Sequence, residues 1–112
     1  MSLLIVGSCS KITQNIVLAL ARQSQYQKIT IDDVLPAYDF HRRFYKLKRS
    51  LKDQKSNTEI SINKIIKYDD LYHHIKQHND ILYVTHDYFQ NAVSKTKLME
   101  LTATYSKNVF TL

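Results

Sequence analysis

The sequence predicts a three-layer α/β domain, in which a mostly parallel sheet of five strands lies between two layers of helices. Apolar runs typical of covered strands alternate with segments whose apolar residues recur every three or four positions. Strands joined by helices run parallel through right-handed crossovers, and the order expected for a doubly wound sheet is 3-2-1-4-5. A chain of 112 residues has the length of a single domain, residues 1–112.

The first half of the chain supplies three of the predicted strands and two of the helices. The run Leu3–Val6 is continuously apolar, which is typical of a strand covered on both faces. Ser10 is placed to cap the helix that follows, because a serine hydroxyl accepts from the free amides of a first helical turn. The predicted elements are a strand at 3–6, a helix at 12–21, a strand at 28–31, a helix at 38–52 and a strand at 60–66.

The second half continues the alternation as far as a fifth strand. Asp69 and Asp70 precede a short helix, and a polar Asn-Asp pair ends it. The predicted elements are a helix at 71–76, a strand at 81–84, a helix within 88–105 and a strand at 109–112. The run Val109–Leu112 is apolar and is expected at an edge of the sheet, where another chain could cover it.

The first strand, turn and helix are arranged as at the start of a dinucleotide-binding domain. Such a turn carries three glycines, so that backbone amides approach a pyrophosphate and the helix packs closely on its strand. Gly7 is the chain's single glycine, and Ser10 and Thr13 stand at the other two positions. We predict a vestigial cofactor site at Gly7, Ser10 and Thr13, with Asp32, or its neighbour Asp33, as the acid for ribose hydroxyls. A purely structural turn is the competing interpretation.

Several segments, taken in order, resemble the extended and atypical short-chain dehydrogenase/reductases. The first turn has that family's Gly-x-x-Gly-x-x-Gly spacing, with Gly7 alone retained. Residues 69–84 resemble the family's stretch of acid, helix, acid and apolar strand, and residues 98–101, Leu-Met-Glu-Leu, stand for its Leu-Leu-Glu-Ala pattern. The resemblance covers nearly the whole chain but only the first half of the family's domain. It implies a truncated Rossmann-like domain of the NAD(P)-binding superfamily.

The resemblance also implies a nicotinamide cofactor and a catalytic Tyr-x-x-x-Lys pair after the fifth strand. Tyr72 and Lys76 have this spacing but lie before the fourth strand, so we predict no catalytic residue and a pseudoenzyme. The N-terminal halves of lactate and malate dehydrogenases also fit the spacing from Gly7 to Asp33. This chain lacks the long substrate loop that those enzymes carry after the fourth strand.

The positive charge of the chain is concentrated in one predicted helix. Residues 41–55 hold seven basic residues against the single acid Asp53, and their net charge of +6 equals that of the whole chain. The residues predicted to bind a partner are Arg42, Arg43, Lys46 and Arg49. An acidic protein, an anionic lipid surface and RNA all fit such a patch, and a merely solvated face is the competing interpretation.

Two smaller features could carry chemistry. His74 and His78 are four residues apart, a spacing that can bind a metal ion, and His86 is a third candidate ligand. No cysteine completes the set, so no metal site is predicted.

Cys9 lies near a helix N-terminus, a position that lowers the pKa of a thiol, but no base can be assigned to it. We expect a buried, inert thiol.

Composition indicates the compartment and the class of protein. A lone cysteine allows no internal disulfide and indicates a reducing, intracellular compartment. The chain has no apolar run of about 18 residues, as a membrane span needs, and strand-like residues from Leu3 leave no room for a cleaved signal.

The function expected from these features is that of a non-catalytic accessory subunit, bound to other protein subunits without a cofactor. By family analogy the assembly is a mitochondrial respiratory-chain or ATP-synthase complex. An NAD(P)-binding oxidoreductase subunit and an RNA-binding component using residues 41–55 are the alternatives.

Overall fold

A computed structural model describes residues 1–34, 38–65, 67–84, 100, 103–105 and 107–112. Its sheet has five parallel strands in the order β3-β2-β1-β4-β5, which confirms the predicted fold class and strand order. The strands are β1 Ser2–Gly7, β2 Lys28–Asp33, β3 Glu59–Lys64, β4 Asp80–Tyr83 and β5 Asn108–Thr111. The helices are α1 Lys11–Gln23, α2 Phe40–Asp53 and α3 Tyr68–Gln77. The helix predicted within 88–105 lies largely outside the described residues.

Alternating side chains of the sheet build two separate cores. Leu3 and Ile5 of β1 point to one face, where they pack with apolar residues of β2 and with α1 and α2. Leu4 and Val6 point to the other face, where they pack with β4 and α3. Because β1 is covered on both faces, its four central residues are almost entirely buried, as the continuous apolar run predicts.

The element ends follow several of the sequence signals and differ from the predicted bounds by up to three residues. Ser10 caps α1 as predicted, and the helix ends where Ser24 takes a left-handed conformation. Asp69 and Asp70, expected before the third helix, lie in its first turn, where carboxylates are favoured by the helix dipole. β3 ends at Lys64, two residues earlier than predicted. β2 ends at Asp33, within the pair of acids expected to end it.

Polar contacts tie down the amino-terminal ends of the strands. The carboxylate of Asp80, on β4, accepts from the Tyr26 hydroxyl at 2.6 Å and from the side-chain amide of Asn108 at 3.0 Å. Burial is the largest cause that raises the pKa of the Tyr26 hydroxyl to about 12, and its hydrogen bond to Asp80 is the second. These contacts hold β5 beside β4.

None of the helices in the described ranges combines the length and the apolar character needed to cross a membrane.

Candidate functional site

The first turn places Gly7 against the end of β4. A Cβ added at Gly7 would lie 2.9 Å from the Cβ of Val84, a separation that real side chains essentially never show. The backbone of Gly7 is not in the left-handed region, so an L side chain would be excluded by this contact and not by conformation. Close packing of the chain on itself is therefore sufficient to explain the single glycine.

Two backbone amides of the turn already have partners within the chain. The amide of Cys9 donates to Oδ2 of Asp33 at 2.9 Å, and the amide of Thr13 donates to Oγ of Ser10 at 3.4 Å. Thr13, at the third glycine position, is fully buried between α1 and the sheet. A pyrophosphate at this turn would have to displace the Asp33 carboxylate from Cys9 or pack against its negative charge.

The two acids at the end of β2 point to opposite faces of the sheet. Asp32 is fully buried on the α3 side, where its carboxylate accepts from Asn63 at 3.1 Å and contacts Nδ1 of His74 at 2.6 Å. Burial raises the pKa of Asp32, against the opposing effect of His74. Asp33, and not the predicted Asp32, is the acid that contacts the turn. Adjacent strand residues alternate in direction, and the sequence alone did not fix which of the two faces the turn.

The histidine pair contacts residues of the same chain. Nδ1 of His78 donates to the backbone carbonyl of His74 at 2.7 Å, so Nε2 of the neutral ring accepts from the hydroxyl of Thr30 at 2.8 Å. His74 contacts Asp32 as described above. Within the described residues, no three metal-ligating side chains form a cluster, and the third candidate, His86, lies outside them. The geometry gives this pair a role in holding α3 against β2.

The buried ring of His78 makes stability depend on pH. Burial lowers its pKa in the folded chain below the ordinary value of 6.5, so the unfolded chain binds a proton where the folded chain does not. The neutral ring of His78 therefore contributes its full stabilisation at pH values above the ordinary pKa of 6.5. This stabilisation is lost as the pH falls through the lower pKa that His78 has in the folded chain. We expect the free energy of unfolding to fall more steeply from about pH 7 to pH 5 in the wild type than in His78→Gln, measured by urea unfolding. Equal slopes for the two proteins would contradict this assignment.

Cys9 is fully buried beside Asp33. Burial, reinforced by the carboxylate of Asp33, raises the pKa of its thiol to about 11. The lowering expected from a position near a helix N-terminus is thus outweighed by burial and by the neighbouring carboxylate. The thiol is protonated at neutral pH, which fits the expectation of an inert cysteine.

The Tyr72 and Lys76 pair lies on α3, before β4, as predicted. Tyr72 is half-buried and Lys76 is exposed. The ammonium of Lys76 lies 5.3 Å from the centre of the Tyr105 ring, and its backbone carbonyl accepts from the side chain of Lys107. Lys76 therefore contacts the region of the chain before β5.

The basic helix α2 presents its charges away from the sheet. Phe40, Leu47 and Leu51 are buried and fix the helix to the domain. Among the predicted partner-binding residues, Arg42, Lys46 and Arg49 are exposed. Arg43 is half-buried and its Nε contacts Oδ2 of Asp39 at 3.1 Å. The ring of Phe44 is approached by the ammonium of Lys48 at 4.7 Å. Three of the four predicted residues are thus presented to solvent on one helix.

A groove of about 510 Å³ runs between α1 and α2 and adds to this basic surface. Lys11 of α1 lines this groove together with cations of α2. Asp39 is the one acid among the described residues that line it. Sequence reasoning missed Lys11, because the juxtaposition of the two helices follows from their packing. The groove is lined by Ser10, Lys11, Gln14, Asn15, Leu18, Asp39, Arg42, Arg43, Lys46 and Ser50.

Two tyrosines extend the same region. Tyr38, just before α2, is fully exposed, and Tyr45 on the helix is 78% exposed. Aromatic rings with a polar tip next to arginines are typical of the centres of protein interfaces. We name the exposed surface formed by Lys11, Tyr38, Arg42, Tyr45, Lys46 and Arg49 the basic face.

Solved structures match this arrangement of strands and helices. A lactate dehydrogenase, MGS-M5, from a Medee basin deep-sea metagenome library superposes with a TM-score of 0.62 at 11% identity over 98% of this chain and 36% of its own. The fold is Rossmann-like. Shikimate 5-dehydrogenase from Listeria monocytogenes, solved with shikimate and NAD, superposes with a TM-score of 0.61 at 13% identity over 98% of this chain and 45% of its own.

These likenesses concern the fold alone, which is that of a Rossmann-like domain. The chain spans less than half the length of the two dehydrogenases it matches. No protein-family model and no curated protein sequence matched it.

Proposed function

We propose that this chain is a non-catalytic subunit that docks an acidic protein partner through the basic face. The observation that carries the proposal is the concentration of the net charge on one helix whose apolar side is already committed to the core. A helix anchored in this way holds its cations in a fixed array, which favours complementary binding over diffuse attraction.

The first turn supports a role without a cofactor. Asp33 occupies the amide of Cys9 and Ser10 occupies that of Thr13, while the absence of a side chain at Gly7 accommodates Val84. Two amides of the turn and the space beside Gly7 are thus already used by the chain itself. The finer resemblance to short-chain dehydrogenase/reductases is part of this proposal, with the chain as a degenerate member that keeps the architecture of the fold.

A protein partner suits the basic face better than a lipid surface. Membrane-binding basic helices insert an apolar side into the bilayer, but the apolar side of α2 is buried against the sheet. The exposed rings of Tyr38 and Tyr45 beside the arginines have the composition of a protein interface, and binding of RNA through these rings is an outcome that the experiment below distinguishes. The part of the basic face that lies on α2 follows a helix of about 21 Å, a length that fits within an ordinary protein interface.

Reversal of three charges on the basic face tests the proposal. The tagged full chain with Arg42→Glu, Lys46→Glu and Arg49→Glu is compared with the wild type in native co-purification from its source cells. We expect the variant to remain folded by circular dichroism, since exposed charge pairs contribute only about 0–1 kcal/mol each to stability. It should lose its co-purifying protein.

The matched control reverses three exposed lysines outside the basic face, Lys64→Glu, Lys67→Glu and Lys76→Glu. This control changes the net charge equally and should retain the partner. Equal occupancy in all three samples would refute the proposal. Co-purifying RNA or lipid in place of a protein would refute the choice of partner. Respiratory-chain and ATP-synthase subunits are the proteins proposed by family analogy, and their identification by mass spectrometry tests that part.

Dinucleotide binding is a second candidate function, favoured by the placement of Asp33. A carboxylate at the end of β2, next to the first turn, is where an acid accepts the ribose hydroxyls of NAD in Rossmann-like folds. Calorimetric titration of the wild type and of Asp33→Asn with NAD, NADH, NADP and NADPH tests it. Saturable heat in the wild type that is weakened in the variant would support this candidate over the first.

A further inference from the structure

A second surface, at the edge of the sheet farthest from β3, is independent of the basic face. β5 is the outermost strand on the β4 side, and no described strand pairs with its outer edge. Val109 is 37% exposed, and Phe110 and Leu112 are each 50% exposed. Phe110 also lines an apolar groove of about 300 Å³ with Leu3, Ile16, Leu20, Gln25, Tyr26 and Leu82.

This edge lacks the features that normally keep edge strands from pairing. Residues 108–112 contain no charge and no proline, whereas edge strands are usually protected by lysine, proline or a bulge. The apolar surface continues from Phe110 across Leu82 to α1. We propose that β5 pairs antiparallel with β5 of a second copy of this chain, giving a dimer with a continuous sheet of ten strands.

The backbone of β5 restricts the register of that pairing. The amides of Asn108 and Leu112 donate to the carbonyls of Asn79 and Tyr83, so the backbone groups of Val109 and Thr111 point outward. The symmetric register that pairs both of these outward residues places Val109 opposite Thr111 of the other copy, and each pair exchanges two hydrogen bonds. Phe110 falls on the two-fold axis, opposite its own copy, as a pair without backbone hydrogen bonds and with close side chains.

The distribution of charge favours a second copy at this edge over one at β3. α2 packs over β2 and β3, so pairing through β3 would bring two helices of high positive charge together. Pairing through β5 separates the β2 strands of the two copies by seven strand spacings, about 34 Å. Repulsion over that distance is screened, because the Debye length is about 8 Å at physiological salt. Outside residues 41–55 each chain carries no net charge.

Cysteine substitution on the two-fold axis tests both the dimer and its register. In the full chain, Phe110→Cys places two thiols on Cα atoms about 4.5 Å apart, within the range that a disulfide spans. We expect mild oxidation to convert most of the protein to a covalent dimer on a non-reducing gel. The native Cys9 is fully buried and does not compete.

Leu112→Cys is the matched control, since Leu112 has the same exposure and lies on the same face of β5. In the proposed register the two copies of residue 112 are offset by four residues, about 14 Å, so no cross-link should form. Cross-linking of both variants would overturn the register.

Light scattering of the uncross-linked protein completes the test. The wild type at about 100 µM should have twice the monomer mass of 13.2 kDa, at low and at high salt. Thr111→Pro, which removes one outward N–H and blocks the edge, should weaken the dimer at least tenfold while circular dichroism stays unchanged. A monomeric wild type, or a dimer unaffected by Thr111→Pro, would overturn the proposal.

Discussion

Gly7→Ala is expected to lower the free energy of unfolding by about 2 kcal/mol, although alanine at a compatible position normally stabilises by about 0.4–1 kcal/mol. The new Cβ would meet the Cβ of Val84 at 2.9 Å, and Val84 is fully buried with its amide bonded to Val6. Neither partner can move without disturbing the pairing of β1 with β4. Urea unfolding measures the change: the urea concentration at the midpoint should fall, while the slope of the free energy of unfolding against urea stays the same.

A double-mutant cycle separates this contact from other effects of the substitution. Val84→Gly removes the clashing Cβ, so the pair Gly7→Ala with Val84→Gly should lose less stability than the sum of the two single variants. If Gly7→Ala is as stable as the wild type, the contact does not constrain the residue. A need for close approach of a ligand to the turn would then become the better explanation of the glycine.

Restoring glycines in the turn with Ser10→Gly and Thr13→Gly is expected to lower the free energy of unfolding by about 2 kcal/mol, without creating a dinucleotide site. The loss comes mainly from the buried side chain of Thr13 and from the lower helix propensity of glycine. The Asp33 carboxylate would still hold the amide of Cys9. Urea unfolding and calorimetric titration with NAD measure the two effects.

Asn15→Gly provides the control, because Asn15 is exposed on the same helix and asparagine has about the helix propensity of threonine. Like Thr13→Gly it places one glycine inside the helix, since Ser10 is the N-cap, so its smaller loss measures the contribution of helix propensity alone. Saturable binding of NAD by the Ser10→Gly, Thr13→Gly variant would contradict the account. The two missing glycines would then be the only obstacle to the cofactor.

The architecture was accessible from the sequence because the burial pattern of each element is local. The apolar run Leu3–Val6 indicated a strand covered on both faces. The spacing of Phe40, Phe44, Leu47 and Leu51 indicated a helix with one buried side, on which Phe44 is only half-buried. Right-handed crossovers then restricted the strand order.

The site was less accessible because it depends on register and on packing between elements. Asp32 and Asp33 are adjacent, and only the pairing of β2 decides which carboxylate reaches the turn. Lys11 joins the basic face because α1 and α2 pack side by side, which brings together positions that are far apart in the sequence. The raised pKa of Cys9 follows from complete burial, which the position of a helix N-terminus does not reveal.

The salt dependence of binding to the purified partner is the most direct measurement of the central claim, that the basic face is a docking surface. The dissociation constant of the wild-type complex should rise at least tenfold between about 50 and 300 mM salt, as screening shortens the reach of the fixed charges. Reversal of Arg42, Lys46 and Arg49 to Glu should abolish binding at the lower salt, and reversal of Lys64, Lys67 and Lys76 should leave it intact. A salt-independent affinity that the first set of reversals does not change would contradict the account.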